Sequence, residues 1–323
     1  MLRPCSNLLL SLLVTSSASA VTIDWVPIGE PGNLGDPQES CIDCGPGTMF
    51  GSVSYTYQIS SYEVTNAQYV EFLNAVADTD TNGLYNTSMG TGWGGITRSG
   101  SSGSYSYSAI AGRENMPVIF VSFYDSLRFA NWLHNGQLSG AQDATTTDDG
   151  AYTITAQGIS DNSITRNAGA AIFLPSEDEW YKAAYYDAQS ASYFDYPAGS
   201  DAQTTCTAPT ATPNSANCGN AIGDLTGVGS YTGSASPYGT FDQGGNVWEW
   251  NEAIIIGSDR VLRGGHFDGS TDNPAASIRI YFDLASGDVA VGFRVAPEPG
   301  RDLLLVAGVL GVLGLAGWRG ARD

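Results

Sequence analysis

Basic side chains are scarce in this chain of 323 residues. Lysine and arginine together number 13, against 33 aspartates and glutamates, which gives a formal net charge of -20. A phosphate backbone or an anionic lipid surface repels such a chain, so nucleic acid is excluded as a partner and cations are favoured. The chain is instead rich in glycine (40), tyrosine (17) and tryptophan (7), a composition typical of loop-rich extracellular proteins with aromatic cores.

Histidine and cysteine are also scarce, at two and five residues. Cys5 falls in an N-terminal apolar segment, which leaves Cys41, Cys44, Cys206 and Cys218. We predict a disulfide between Cys206 and Cys218, because they close one loop rich in glycine, proline and asparagine. The CIDC motif of Cys41 and Cys44 is open to interpretation as a redox pair or half of a zinc site, but no second pair stands at metal-ligand spacing. A local disulfide or two unpaired thiols is the favoured interpretation.

The first 20 residues are typical of a secretory signal peptide. An apolar run from Leu8 to Val14 precedes Ala18-Ser19-Ala20, a small-x-small cleavage site. Residues 1–20 are therefore expected to be removed by a signal peptidase and the protein to be exported. No internal repeat or composition break divides the rest, so we predict one domain over residues 21–295.

Secondary structure is predicted to be mixed and sparse, an α+β class with long loops. Strands are expected at residues 22–28, 51–59, 117–121, 172–174, 260–265, 278–281 and 291–295 from their alternating or continuous apolar residues. Three helices are expected after the capping residues Thr65, Ser122 and Ser176. The polar segments between these elements are predicted to be loops.

The segment FDQGGNVWEW, residues 241–250, has the residue types of a calcium loop. Asp242 and Glu249 supply hard oxygen ligands, and Gly244-Gly245 lets the backbone turn with its carbonyls inward. In an extended segment Trp248 and Trp250 would face the core, and Glu249 would point the other way, toward an ion or a partner. The alternative is a tight turn between two core aromatics with a solvated glutamate. A second cation loop is predicted around Asn217 and Asp224.

Six ordered segments resemble the formylglycine-generating enzyme, or sulfatase-modifying factor, family. They are YEVTNAQYVEFLNAV, PVIFVSFYDSLRFANWL, IFLPSEDEWYKAAYYD, SPYGTFDQGGNVWEW, RVLRGG and GFRVA. The resemblance covers nearly all of residues 22–296. It implies an irregular, loop-rich α+β fold related to C-type lectins.

The resemblance also implies structural calcium as the cofactor. One site carries over onto the side chains of Asp242 and Glu249 and the carbonyls of Gly245 and Val247. The other carries over onto the side chains and carbonyls of a second set: Asn217, Cys218, Asp224 and Thr226. Carboxylate, amide and carbonyl oxygens are calcium ligands rather than zinc ligands.

The sequence departs from the family at the catalytic segment. Catalytic members use two cysteines between the RGG and GFR segments to bind copper, and this chain has none there. Copper is therefore not expected. The iron branch of the superfamily needs three histidines, and only His134 and His266 are present. His266 and Asp268 remain as candidate catalytic residues, although a structural role is favoured for His266.

The tail over residues 296–323 resembles a PEP-CTERM sorting signal. Pro297-Glu298-Pro299 supplies the motif, an apolar stretch runs from Leu303 to Trp318, and arginines follow. This resemblance implies a transmembrane helix that is cut off by an exosortase and display at the cell surface, outer envelope or extracellular matrix of a Gram-negative bacterium. The alternative is a plain C-terminal membrane anchor.

The functional expectation is a calcium-stabilised binding or structural domain with an extracellular polysaccharide or protein as ligand. Formylglycine generation and a divergent metal-dependent oxidoreductase are the alternatives.

Overall fold

The computed structural model describes residues 20–37, 47–254, 259–284 and 287–298. The predicted signal peptide except for its last residue, the CIDC motif with Cys41 and Cys44, and the apolar stretch from Leu303 to Trp318 lie outside these ranges. No helix within them is long and apolar enough to cross a membrane.

The described residues form a mixed α and β fold with few regular elements, as predicted. The helices are α1 Asn66–Val76, α2 Phe123–His134, α3 Ala156–Ser160 and α4 Glu177–Tyr185, with a 3-10 turn at Thr87–Gly90. The strands are β1 Trp25–Ile28, β2 Tyr57–Ser60, β3 Ile96–Ser99, β4 Ser106–Ala109, β5 Ile172–Phe173, β6 Tyr186–Asp187, β7 Ser192–Tyr193, β8 Thr205–Cys206, β9 Ser215–Ala216, β10 Trp248–Ile254, β11 Asp259–Arg263, β12 Ile280–Asp283, β13 Val291–Phe293 and β14 Ala296–Pro297.

The three predicted helices begin where the capping residues place them. Thr65, Ser122 and Ser176 each accept a hydrogen bond from the backbone of the third helical residue. The side chain of that third residue accepts from the backbone of the capping residue, so each helix has a complete capping box. The N-terminal N–H groups that a helix leaves unpaired are thereby partly satisfied.

The largest sheet contains four strands in the order β12-β11-β10-β13. Its β10 and β13 run parallel, with Glu249 opposite Gly292 and Trp250 opposite Phe293. The strand β11 pairs antiparallel with both β10 and β12. This arrangement brings the WEW and GFR segments side by side at the β13 edge of the sheet.

Aromatic side chains fill much of the main core. Phe72 of α1 lies between Phe129 and Trp132 of α2, with ring centroids 5.4 and 5.3 Å away. Phe293 of β13 contacts Phe129 edge to face at 5.4 Å. The helices α1 and α2 are thereby packed against the four-stranded sheet.

The strand predicted at residues 117–121 was wrong. Only an isolated bridge between Thr65 and Pro117 is formed there. Phe120 adopts a positive φ of 61°, which interrupts the extended backbone that a strand requires. The apolar side chains are still buried, because Val118, Ile119 and Val121 have almost no exposed surface.

Candidate functional site

An ion pair joins Glu249, a predicted calcium ligand, to Arg294 of the GFR segment. Arg294 donates to Glu249 Oε2 from Nε at 2.6 Å and to Oε1 from Nη2 at 2.8 Å. Trp180 Nε1 donates to Oε2 at 2.8 Å. Both charged side chains are fully buried. Glu249 therefore has an internal partner, and the alternative of a solvated glutamate was wrong.

Other arginines close to this sheet also bind internal carboxylates. Arg263 and Arg279 both bind Glu177, at 2.8 Å each. Paired and hydrogen-bonded charges of this kind are tolerated in an interior where single charges are not. Glu177, at the start of α4, thereby joins that helix to the residues that follow β11.

Asp242 is a second carboxylate of the predicted loop, and it is partly buried. It has a φ of 59°, and its Oδ2 accepts a hydrogen bond from the N–H of Gly229 at 2.6 Å. Burial raises the pKa of Asp242 to about 6, against the opposing effects of the Gly229 bond and Arg294. The Gly229 hydrogen bond and Arg294 therefore offset only part of the cost that burial places on the charged Asp242 carboxylate.

Glu63 is a further buried carboxyl that the sequence analysis did not identify. Burial raises its pKa well above the ordinary value, and the neighbouring Asp242 and Glu249 raise it further. Its Oε2 is buried and has no hydrogen-bond partner within the described residues. The sequence feature that could have identified Glu63 is its place between Tyr62 and Val64, at a position that faces the core.

Asn246 is the hub of this site, and it was also missed. Its Nδ2 donates to Glu63 Oε1 at 3.3 Å, and its Oδ1 accepts from the backbone N–H of Thr226 at 3.1 Å and from Asn217 Nδ2 at 3.2 Å. Gly245 beside it has a φ of 94°, and a Cβ there would lie 2.4 Å from the carbonyl oxygen of Asn217. Only glycine fits this close approach, so the two predicted calcium loops are packed directly against each other.

The first predicted calcium loop does not fit an ion as its residues lie. Calcium binds six to eight oxygen atoms, and both Glu249 oxygens are already occupied by Arg294 and Trp180. An ion at Glu249 would have to displace Arg294. Asp242 has room for a further contact on Oδ1, for which no hydrogen bond is seen in the described part of the chain. Calcium at this loop stays a prediction.

The second predicted loop has a feature that fits a cation. Asn217 Oδ1 is buried and has no partner within the described residues, as expected of an oxygen whose ligand is not present. The other predicted ligands have partners. Asp224 is held by both Nη atoms of Arg113 at 2.8 and 2.9 Å, and the carbonyls of Cys218 and Thr226 accept from Ala221 and Asn246. Calcium at this loop stays a prediction as well.

Cys206 and Cys218 form a disulfide, as predicted, with their Cα atoms 4.8 Å apart. A Cβ on Gly219 would lie within 3.3 Å of Cys206 and 3.0 Å of Thr271. The disulfide therefore lies next to the segment after RVLRGG. Neither sulfur is available as a free thiol, and Cys218 is fully buried.

His266 and Asp268, the candidate catalytic residues, are neighbours with different surroundings. The His266 ring lies 5.9 Å from the Trp248 ring, and its Nδ1 is buried without a partner in the described chain. Burial lowers the pKa of His266, while Asp268 and Asp288 act in the opposite direction. His266 is therefore neutral near pH 7, and Asp268 is exposed beside it.

No convergent group of three or more histidine, cysteine, aspartate or glutamate side chains suited to a metal ion is found in residues 20–37, 47–254, 259–284 and 287–298. His134 Nδ1 accepts a hydrogen bond from the N–H of Ala171 at 2.8 Å. The two histidines are thus engaged separately, with His134 at the end of α2.

The family of sulfatase-modifying factor enzyme 1-like domains matches residues 51–299 of the chain. Among solved structures, Treponema denticola variable protein 1 is similar with a TM-score of 0.55 and 19% identity, over 88% of this chain and 98% of that one. CarF is similar with a TM-score of 0.53 and 18% identity, over 86% of this chain and 98% of that one. No curated protein sequence matches significantly. At such identities the structural likeness shows the fold alone.

Proposed function

Because the chain belongs to the family of sulfatase-modifying factor enzyme 1-like domains, we propose that it is an exported binding domain that lacks the copper-dependent oxidase chemistry. The main support for this proposal is that the sequence has no cysteine between Arg263 and Phe293, where catalytic relatives are expected to have two. Thiolates are the ligands that a soft copper(I) ion selects, so their absence removes the copper site. Cys206 and Cys218 are bonded to each other and supply no substitute.

We further propose that calcium stabilises the domain through the Asn217 loop. The support is the buried, unpaired Asn217 Oδ1, next to Asp224 in a chain of net charge -20. An ion there would be held by the Asn217 side chain and by nearby carbonyls, with Asp224 joining once it releases Arg113, and it would clamp this loop against Gly245. Its role is structural: it fixes the loop and carries out no chemical step.

Export and surface sorting complete the proposal. The support is the N-terminal segment typical of a signal peptide and the PEP-CTERM-like tail, both in the sequence. The Cys206–Cys218 disulfide is consistent with an oxidising compartment outside the cytoplasm. Signal peptidase and an exosortase are the proposed processing enzymes. The proposed ligand is an extracellular polysaccharide or protein.

A divergent metal-dependent oxidoreductase is the second candidate, and His266 favours it. Its unpaired buried Nδ1 and the adjacent Asp268 are groups that a metal or substrate could engage. This candidate requires a transition metal in the purified protein. It also requires that His266→Gln abolish metal uptake while Asp272→Asn, an exposed control in the same segment, does not.

Elemental analysis and a peptide assay test the main proposal together. The purified full chain is expected to contain calcium, without stoichiometric copper or iron, and to leave a CxPxR peptide unchanged in mass under air with added copper. Asn217→Ala is expected to lose calcium, while Asn74→Ala, distant from the loop, retains it. Peptide oxidation, or bound copper or iron, would contradict the absence of oxidase chemistry. Failure to bind any member of an array of extracellular glycans and surface proteins would contradict the binding role.

A further inference from the structure

A cavity of about 260 Å³ opens at the N-terminal end of α2, and its lining includes neither His266 nor any predicted calcium ligand. It is slightly smaller than the roughly 300 Å³ at which drug-sized ligand pockets begin. Its volume suits one ring-sized ligand. The lining residues come from α2, from the chain before the 3-10 turn, and from the two crossing segments at Phe120 and Gly287: Asn82, Gly83, Asn86, Phe120, Ser122, Tyr124, Asp125, Arg128 and Gly287.

Arg128 presents a guanidinium group to this cavity. Its side chain is nine-tenths buried, and its Nε donates to Asp148 Oδ1 at 2.9 Å. The described residues offer no hydrogen-bond acceptor to Nη1 or Nη2. Neither atom is among the fully buried unpaired ones, so both reach the solvent in the cavity. A guanidinium fixed through Nε presents its remaining donors in a rigid fork.

Asp125 provides a matching acceptor one helical turn earlier. Its Oδ2 accepts from the backbone N–H and the hydroxyl of Ser122 at 2.9 and 2.7 Å. The described chain supplies no hydrogen bond to Oδ1. The residue is largely buried, so the carboxylate is held in place by the helix cap with one oxygen left for a ligand.

Two asparagines add one hydrogen-bond acceptor and one hydrogen-bond donor. Asn82 donates from Nδ2 to Asp148 at 3.3 Å, which leaves its amide oxygen as an acceptor. Asn86 accepts from the N–H of Ser88 at 2.9 Å on Oδ1, which leaves its Nδ2 as a donor. The cavity thus combines donors and acceptors around one small space.

Aromatic rings complete the lining. Tyr124 donates its hydroxyl to the carbonyl of Ile159 at 3.0 Å, so its ring is fixed and its polar end is occupied elsewhere. Phe120 has a φ of 61°, and Gly287 lies so close that a Cβ there would be 2.3 Å from the Phe120 carbonyl oxygen. A non-glycine residue held in this sparsely populated conformation is a feature that clusters at ligand sites.

The charges select among ligands of this size. Arg128 is already neutralised by Asp148, and Asp125 adds an acidic group, in a protein of net charge -20. An anionic ligand, or the carboxylate of an amino acid, would meet two carboxylates for one guanidinium. A neutral polyol has hydroxyls that both donate and accept, and its ring face packs on aromatic side chains.

We propose that this cavity binds one neutral monosaccharide ring, with Arg128 and Asp125 as the hydrogen-bonding pair and Phe120 and Tyr124 as the apolar walls. The inference rests on the proposed binding function and gives it a ligand class: the cavity recognises a sugar unit of an extracellular polysaccharide.

The test is saturation-transfer NMR and calorimetry on the full chain, with methyl glycosides of glucose, galactose and mannose as probes. At least one is expected to bind. Arg128→Met is expected to weaken that binding about tenfold or more, because it removes hydrogen bonds from a charged donor. Phe120→Gly is expected to weaken it too, because it removes an apolar wall, and glycine tolerates the positive φ at this position. Arg98→Met, which breaks an ion pair with Asp80 outside the cavity, is the matched control and is expected to bind normally.

Two results would overturn the proposal: no neutral glycoside binds, or the Arg128 and Phe120 variants bind as tightly as the parent chain. Stronger binding of glucuronate or alanine would also overturn it. If one of these results is found and the chain nevertheless binds a polysaccharide on the array, the cavity is not the sugar site and the proposed binding function stands. If it binds nothing on the array, the binding function itself fails.

Discussion

Arg294 and Glu249 stand 45 residues apart in the chain, yet they form a two-point ion pair with no exposed surface on either side chain. Trp180 shares one of the Glu249 oxygens, so α4, β10 and the residue after β13 meet at one carboxylate. The conspicuous WEW and GFR segments therefore hold the fold together through each other. This relationship gives the first prediction.

Arg294→Met is expected to destabilise the domain by about 3 to 5 kcal/mol, because it leaves the Glu249 carboxylate buried without its partner. Urea unfolding measures the loss. The half-buried pair of Arg98 and Asp80, 3.4 Å apart, is the control, and Arg98→Met is expected to cost less than Arg294→Met, because solvent still reaches Arg98. Equal losses in the free energy of unfolding for the two variants would contradict a larger contribution from the buried pair.

Asp242 is expected to make the stability depend on pH. Its pKa is about 6 in the folded protein, against an ordinary value of 3.8, so the folded state binds the extra proton between these values. Stability from this group is present at pH 3 to 4 and is lost as pH rises toward 6. Asp242→Asn removes the effect and keeps the acceptor for Gly229.

The test is denaturation of the parent and of Asp242→Asn at several pH values between 4 and 7, in a buffer that contains a calcium chelator. The variant is expected to gain about 2 to 3 kcal/mol over the parent across that range, from the shift of roughly two pKa units. Asp143→Asn, an exposed site, is the control and is expected to show no such gain. A constant difference between Asp242→Asn and the parent would contradict the predicted linkage.

Reduction of the Cys206–Cys218 disulfide is expected to destabilise the domain by about 3 kcal/mol, the usual effect for a loop of this length. The double variant Cys206→Ala, Cys218→Ala is expected to show the same loss and to be insensitive to reductant. Urea unfolding with and without dithiothreitol measures both. A double variant as stable as the oxidised parent would refute the prediction.

His266 is expected to titrate below 6.5, since burial disfavours its charged form. An NMR titration of the His266 ring protons gives the midpoint, with the urea-unfolded chain as the reference. Asp268→Asn removes a group that favours the charged form and is expected to lower the midpoint further, whereas Asp161→Asn is expected to leave it unchanged. A midpoint at or above that of the unfolded chain would contradict the burial argument.

Local patterns predicted much of the fold. The three capping boxes depend on residues three apart in sequence, so Thr65, Ser122 and Ser176 could be identified without tertiary information. The Cys206–Cys218 disulfide was likewise predictable from a short loop. The strand at residues 117–121 was mispredicted because Phe120 has a positive φ, at a point where the chain contacts the segment at Gly287, which is far away in sequence.

The site was less predictable. Glu63 and Asn246 have no distinctive sequence pattern, and their roles arise from contacts with residues up to 183 positions away. The Arg128 cavity could not be predicted either, since its walls come from separate segments that only the packing of α2 brings together.

The sequence by itself determined the acidic character, the family segments, the helix starts and the absence of a cysteine pair between Arg263 and Phe293. These depend on composition and on neighbours along the chain. Only the tertiary structure decided that Glu249 of the FDQGGNVWEW segment is bound by Arg294. It also decided that Asn217 Oδ1 and Glu63 Oε2, beside the same hub, have no partner in the part of the chain that the structure describes. The physical reason is that a buried polar group is defined by the partners that the fold brings to it, and those partners come from distant parts of the chain.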